Sequence, residues 1–99
     1  MRVLSNEEVS NYLADHLTNW TLAGSAIRRE LRFRNFIEAF SFMTTIALEA
    51  EKMDHHPEWT NVYNMLNITL STHTPKGITE LDLDLAKKID IAFENRESP

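Results

Sequence analysis

The spacing of apolar residues changes several times along the chain, and each change predicts a different element. Val9, Leu13 and Leu17 recur at helical intervals, and Ser5 with Glu8 has the Ser-x-x-Glu spacing of a capping box. These positions predict a first amphipathic helix that starts next to Ser5. Tyr12 and His16 lie on the same apolar stripe or at its edge, where a packing role is expected.

Two further stretches alternate between apolar and polar residues, which is typical of half-buried strands. Residues 20–33 alternate on both sides of Gly24 and Ser25, so they predict a hairpin with its turn at that pair. Residues 60–73 are too long for one typical strand, so a turn near Asn64 and a second hairpin are expected. One face of the later strand would present Leu66, Ile68 and Leu70, and the other Asn67, Thr69, Ser71 and His73.

Residues 35–53 have the strongest helical pattern in the chain. At 100° per residue, nine apolar side chains fill one arc about 160° wide, whereas ~100° is enough to face a core. The nine are Phe36, Ala39, Phe40, Phe42, Met43, Ile46, Ala47, Ala50 and Met53. Ile37 and Leu48 add a second apolar strip. This breadth indicates contact with a second copy of the chain, giving a homodimer or homotetramer; the alternative is a thick core.

The remaining elements complete an α+β fold. Pro57 blocks continuation of the long helix, residues 74–77 are interpreted as a loop, and Thr79 starts a final helix. That helix has apolar residues every four positions, from Leu81 to Phe93, and residues 95–99 are expected to fray. The order α-β-β-α-β-β-α predicts one domain over residues 1–99, a four-stranded antiparallel sheet with three helices packed on one face.

Composition narrows the classes of function. The net charge is −5, which disfavours direct nucleic-acid binding, and Arg28, Arg29, Arg32 and Arg34 alternate with apolar residues as a solvated strand face would. The absence of cysteine excludes disulfides and thiolate metal sites. No signal peptide or membrane-spanning run is evident, so the expected location is cytoplasmic, without a membrane partner.

Three histidines lie where predicted elements end, which is where sites tend to be built. His55 and His56 are adjacent at the end of the long helix, and His73 ends a strand. Histidine can donate and accept protons near neutrality, although a helix C-terminus also favours a cationic side chain for structural reasons. Zinc is disfavoured because there is no His-Glu-x-x-His pattern, and adjacent helical side chains point about 100° apart.

Two carboxylates have two interpretations each. Asp82 forms a Thr-x-x-Asp capping pattern with Thr79, or it faces a neighbouring pocket. Glu51, four residues before His55, is either solvated helix surface or one wall of a site. Trp20 and Trp59 are interpreted as core or rim residues rather than as a platform for substrate.

The segment from Glu51 to Asp82 resembles the signature of the pterin-4a-carbinolamine dehydratases. The family pattern is an acidic residue, three others, His-His-Pro, an aromatic residue, a second histidine and an aspartate. All intervals are kept here, at Glu51, His55, His56, Pro57, Tyr63, His73 and Asp82. The resemblance is weaker upstream, where residues 36–50 look like the long helix of the family.

The resemblance implies an enzyme, a carbon–oxygen lyase that dehydrates 4a-hydroxytetrahydrobiopterin or a related tetrahydropterin to the quinonoid dihydropterin. His55, His56 and His73 would be the catalytic group, and Glu51, Ser71, Thr72 and Asp82 would bind substrate or orient the imidazoles. No metal or organic cofactor is implied, and the pterin is the small-molecule partner. Two alternatives are a dimerisation partner or coactivator of a transcription factor, without catalysis, and a generic oligomeric ligand-binding domain.

Overall fold

The computed structural model describes residues 1–96 and contains three helices and six strands. The bounds are α1 Asn6–His16, β1 Thr21–Ala23, β2 Ala26–Arg32, α2 Phe36–Met53, β3 Glu58–Val62, β4 Met65–Leu70, β5 Thr72–His73, β6 Lys76–Gly77 and α3 Glu80–Asn95. The predicted fraying of residues 95–99 falls largely outside this part of the chain, and Asn95 is the last residue of α3. No helix in residues 1–96 is long and apolar enough to cross a membrane.

Four strands form one antiparallel sheet in the order β1-β2-β4-β3, which confirms the predicted α+β fold. The hairpins turn at Gly24-Ser25 and at Tyr63-Asn64, as the alternation indicated. Gly24 has a φ of 62°, a conformation that suits a residue without a Cβ. The Asn64 side chain donates to the Phe33 carbonyl at 2.9 Å, so the tip of the second hairpin is held against the segment leading into α2.

One face of the sheet meets the helices and forms the core. Strands β2 and β4 contribute Ile27, Leu31, Leu66, Ile68 and Leu70, all buried. They pack with buried side chains from all three helices, including Leu13, Ile46 and Leu85. On the other face, residues such as Arg28 and Glu30 are exposed. The sequence of β2 alternates between apolar and polar residues because one face of the sheet is buried and the other faces water.

Strand β4 is shorter than predicted. It stops at Leu70, so Ser71 and His73 do not extend the outer face formed by Asn67 and Thr69. Instead β5 pairs with β6 in a separate two-stranded ladder, with Thr72 opposite Gly77 and His73 opposite Lys76. The interpretation of residues 74–77 as a loop is therefore wrong for Lys76 and Gly77, which form β6. Strands of two residues are too short to show an alternating pattern in the sequence.

The interpretation of the four arginines as a solvated strand face is wrong for Arg29. Its side chain is on the core side of β2, with only 11% of its surface exposed, and forms an ion pair with Asp90 on α3. The guanidinium also lies 5.1 Å from the ring centroid of Phe93. Trp20 donates its indole N–H to the same carboxylate at 2.8 Å, so Asp90 joins β2, α3 and the residue before β1.

Only part of the wide apolar arc of α2 is covered. Ala39, Phe42, Ile46 and Ala50 are buried against the sheet and α3. The other edge of the arc and the second strip remain exposed, at Phe36, Ile37, Phe40, Ala47 and Leu48. The thick-core alternative therefore does not account for these side chains.

Candidate active site

The C-terminus of α2 points the first candidate histidine into the protein. Asp54 has a φ of 53°, its N–H bonds to the Glu51 carbonyl, and the N–H of His55 bonds to the Ala50 carbonyl at 3.1 Å. This pair of bonds is the Schellman arrangement that ends many helices. The helix thus ends at the left-handed backbone of Asp54, three residues before Pro57. The same turn places His55 in a buried position beside the last turn of α2.

His55 and Asp82 form a buried pair that joins α2 to α3. The Nε2 atom of His55 lies 2.6 Å from Oδ1 of Asp82. The exposed fractions of the two side chains are 9% and 0%. Such a contact orients an imidazole because rotation of the ring would leave a buried polar atom without a partner.

The second oxygen of Asp82 satisfies the helix cap and holds a threonine. Oδ2 accepts the backbone N–H of Thr79 at 2.9 Å and lies 2.9 Å from the Thr72 hydroxyl. The Thr79 hydroxyl lies 2.8 Å from that of Thr72 and accepts the N–H of Leu81 at 3.3 Å. The capping interpretation of Asp82 is therefore confirmed, since Oδ2 caps α3, while Oδ1 contacts His55.

His56 and Glu51 form a second imidazole–carboxylate pair on the surface. Nε2 of His56 lies 2.9 Å from Oε1 of Glu51, and the two side chains are 59% and 79% exposed. Both residues border the end of α2, so this pair adjoins the buried pair in sequence. Because both side chains are exposed, water competes for the polar atoms of this pair.

The structure places the remaining predicted site residues on the segment that follows β4. Thr72 is buried in the Asp82 network, and His73 is its neighbour on β5 with an exposed side chain. The hydroxyl of Ser71 donates to the Ser25 carbonyl at 2.8 Å, which ties this segment to the first hairpin. Thus His55, Asp82 and Thr72 are in one network, His56 and Glu51 are in another, and His73 is one residue from the first.

Gly77 lies between the Thr72–His73 strand and the N-terminal segment at Val3. Its φ is 140°, and a Cβ at this position would lie 2.7 Å from a methyl carbon of Val3. It pairs with Thr72 across the β5–β6 ladder. The glycine therefore allows the N-terminal segment to approach the ladder that bears Thr72 and His73.

A concavity lies away from these residues, between α1 and α3. It has a volume of about 650 Å³, and its lining includes Tyr12, Lys87 and the carboxylates of Glu8, Asp15 and Asp84. The hydrogen bond from Arg2 lowers the pKa of Glu8 to about 2, and Tyr12 raises the pKa of Lys87. None of the predicted site residues lines this concavity, and Glu80 is its only lining residue within the Glu51–Asp82 segment.

The chemistry available at the histidine site is proton transfer. A buried carboxylate holds one imidazole, a second imidazole is solvent-accessible next to it, and a third lies on the adjoining ladder. Across residues 1–96, no three or more His, Cys, Asp or Glu side chains are grouped so that they could hold a metal ion. The fold and site thus define a small α+β protein with a histidine–carboxylate site suited to acid–base chemistry.

Comparison with known proteins assigns this class to a family. The sequence profile described as pterin 4 alpha carbinolamine dehydratase matches residues 2–92. The chain therefore belongs to the pterin-4a-carbinolamine dehydratase family, as its signature indicated.

Relatives and a solved structure agree with this assignment. A protein from Mesorhizobium japonicum, provisionally named as a dehydratase of this family, is 52% identical over 91% of this chain and 93% of its own length. A similarly named protein from Prochlorococcus marinus is 51% identical over 90% and 92%. A crystal structure from Brucella melitensis, described as a transcriptional coactivator/pterin dehydratase, has a TM-score of 0.86 and 42% identity, covering 91% and 97% of the two chains.

Two residues of the site were not predicted from the sequence. Thr79 was assigned only to the helix cap, yet its hydroxyl also contacts Thr72 in the Asp82 network. Asp54 was not singled out, although its left-handed backbone directs His55 inward. The Thr-x-x-Asp spacing was a signal for the first, because it predicts that Thr79 and Asp82 meet; nothing local distinguishes Asp54 from a helical residue.

Proposed function

We propose that this protein dehydrates a 4a-hydroxytetrahydropterin, with 4a-hydroxytetrahydrobiopterin as the representative substrate, to the quinonoid dihydropterin. The observation that supports this most strongly is the buried His55–Asp82 contact at 2.6 Å, within a family whose signature includes both residues. A carboxylate-held imidazole is the group that such a reaction requires.

The reaction needs two proton movements. The C4a–O bond breaks with its electron pair, so the hydroxyl departs as water only if it receives a proton. The neighbouring ring nitrogen loses its proton, and its electrons form the new C=N bond. Donor and acceptor together leave the protein with no net change in protons, and histidine acid–base assistance typically contributes about 10²–10⁴-fold in rate.

The site residues divide naturally between these tasks. In our proposal His55, His56 and His73 exchange protons with the substrate, Asp82 orients His55, and Glu51 orients His56. Thr72 acts behind Asp82 rather than against the pterin, because its hydroxyl contacts Oδ2 of Asp82 and the Thr79 hydroxyl. Ser71 is assigned to substrate binding, near His73 in the chain. The pterin itself is the bound organic molecule, and these roles need no further cofactor.

The test is a direct assay of the purified protein. Freshly generated 4a-hydroxytetrahydropterin is mixed with wild-type protein, and quinonoid dihydropterin is followed by its absorbance. We expect His55→Ala and His73→Ala each to lower kcat by about 10²–10⁴-fold. His16→Ala is the matched control, since His16 is exposed on α1 and has no role in the proposal. No acceleration by wild-type protein would refute the enzyme proposal, whereas full activity of the His55 and His73 variants would refute only the assigned roles.

We further propose that a second copy of the chain covers the exposed face of α2. Phe36, Ile37, Phe40 and Leu48 are each about half or more exposed and follow one side of this helix. Contiguous exposed apolar side chains on a small protein typically mark a contact surface, and one helix face repeated on an identical chain can form a self-complementary two-fold contact.

Light scattering tests this assembly. The wild-type protein is expected at a multiple of 11.5 kDa. Ile37→Glu and Leu48→Glu should shift it towards the single-chain mass, whereas Ile91→Glu, at a comparably exposed position on α3, should not. A wild-type species of one chain at working concentration contradicts the proposal.

A coactivator role is the second candidate. It is favoured by the description of the Brucella melitensis neighbour as a transcriptional coactivator/pterin dehydratase and by the exposed α2 face. The two candidates separate in the assays above: a wild-type protein that assembles through α2 but does not accelerate dehydration would favour the coactivator role.

A further inference from the structure

Backbone donors fix the direction of two hydrogen bonds in the Asp82 network. Backbone N–H groups only donate, so Oδ2 of Asp82 accepts from Thr79 N–H, and the Thr79 hydroxyl oxygen accepts from Leu81 N–H. Each threonine hydroxyl has a single proton. If Thr72 gives its proton to Oδ2, it can only accept from Thr79, which completes a one-way series from Leu81 through Thr79 and Thr72 to Asp82.

This series makes Asp82 an acceptor. Two donors converge on Oδ2, at 2.9 Å each, so the carboxylate acts as an acceptor in both of these contacts. An ionised carboxylate has no proton to give. Its other oxygen, 2.6 Å from His55, therefore requires a proton on Nε2 of the ring.

The opposite ring nitrogen is left free. Within residues 1–96, Nδ1 of His55 has no hydrogen-bond partner, and no buried side-chain nitrogen or oxygen lacks one. Nδ1 therefore keeps some accessible surface, although the His55 side chain as a whole is only 9% exposed. In a neutral ring protonated at Nε2, Nδ1 is the acceptor.

We infer that Thr72 and Thr79 are positioning residues that hold Asp82 as an acceptor, fix His55 as the Nε2–H tautomer, and leave Nδ1 to exchange a proton with the substrate. The assignment of Nδ1 to the reaction rests on the proposed function, whereas the tautomer does not. The competing arrangement has one proton on Oδ1 of Asp82 and a second proton on Nδ1 of the ring.

Nitrogen-15 NMR of the histidine side chains distinguishes the two arrangements. Spectra of uniformly labelled wild-type protein are recorded at alkaline pH, with His55 assigned by comparison with His55→Ala. A proton on Nε2 supports the inference, whereas a proton on Nδ1 alone, or an equal mixture, overturns it. In Asp82→Asn the amide oxygen should replace Oδ2, so its NH₂ faces His55 and moves the ring proton to Nδ1. Such a tautomer error is expected to lower kcat by on the order of 10²–10⁴-fold.

Variants of Thr72 provide a second test that does not depend on whether the Asp82→Asn protein folds. Thr72→Val removes one donor to Oδ2 at nearly constant shape, and Thr72→Ser restores it. We expect Thr72→Val to increase the share of the Nδ1–H tautomer and to lower kcat about tenfold with little change in KM, the size of one lost hydrogen bond of about 1.4 kcal/mol. Thr72→Ser should return both towards wild type. Thr60→Val, on the exposed face of β3, is the matched control.

The two failures are distinguishable. A wild-type protein without dehydratase activity but with the proton on Nε2 would refute the proposed function and leave the tautomer inference standing. An active protein whose Thr72→Val variant matches wild type in tautomer, kcat and KM would refute the positioning role. Thr72→Val changing in melting temperature alone would mean that the threonine is structural, and this too would overturn the inference.

Discussion

Two imidazole–carboxylate pairs adjoin one another at the end of α2, in opposite environments. His55 and Asp82 are at most 9% exposed and join residues 27 positions apart, whereas His56 and Glu51 are more than half exposed and five positions apart. The distances are similar, 2.6 and 2.9 Å, so distance alone does not distinguish the pairs.

The difference lies in what happens when a pair opens. Water replaces the lost partner of His56 at once, so the ring of His56 can turn to meet a ligand. Opening the buried pair would leave Oδ1 of Asp82 and Nε2 of His55 without partners in a buried region. The buried pair is therefore suited to fixing one geometry, and the surface pair to adjusting as a substrate enters.

The largest expected effect is on stability, when one carboxylate of each pair is removed. Asp82→Ala leaves the cap of α3, Thr72 and His55 without their common acceptor, and we expect a loss of about 3–5 kcal/mol in the free energy of unfolding. Glu51→Ala should change it by less than about 0.5 kcal/mol. Urea denaturation followed by circular dichroism measures both. Equal losses in the two variants would remove the contrast between the pairs.

Coupling energies give the next largest difference. A double-mutant cycle over His55→Ala and Asp82→Ala should yield a coupling of about 1–3 kcal/mol, because both residues belong to one closed network. The same cycle over His56→Ala and Glu51→Ala should yield less than about 0.5 kcal/mol. A larger coupling at the surface pair would indicate that Glu51 and His56 are shielded from water, for instance by a second copy of the chain.

The turn between the helix and the histidines should respond to backbone changes. Asp54 lies in the left-handed region, where a β-branched residue is unfavourable by roughly 1–2 kcal/mol. Asp54→Val should lower stability by about that amount and displace His55, while Asp54→Gly should retain stability and dehydratase activity. Thermal melting and the kinetic assay report the two effects separately. A fully stable Asp54→Val protein would contradict the view that this turn directs His55.

Much of this architecture was accessible from the sequence because it depends on local signals. Two such signals were confirmed: the alternation in residues 66–70 and the capping spacing of Thr79 and Asp82. Both depend only on residues that are close in sequence. The inward turn of Arg29 was missed because its partner Asp90 is 61 positions away and a charged residue usually faces water. Periodicity likewise gave the width of the apolar arc of α2, but it cannot tell which part the chain itself covers.

The candidate site shows the same division between local and long-range information. Spacing and the family signature selected His55, His56, His73 and Asp82, but they could not separate the buried pair from the surface pair. That distinction depends on where α3 packs, since the helix brings Asp82 to His55 from 27 positions away. Whether His55, His56 and His73 take part in catalysis stays a prediction that the kinetic assay tests.

The smallest effect concerns salt, and it isolates the solvent exposure of the second pair. Glu51→Gln keeps the shape of the side chain but removes its charge, so any change in stability at low salt reports attraction to His56 and other nearby charges. We expect at most a few tenths of a kcal/mol, vanishing in 1 M salt, where the screening length is about 3 Å. Denaturation of Glu51→Gln and wild-type protein at low and high salt measures this difference. An effect that persisted in 1 M salt would mean that Glu51 and His56 are covered in the assembled protein, which would place the surface pair beside the contact between chains proposed for α2.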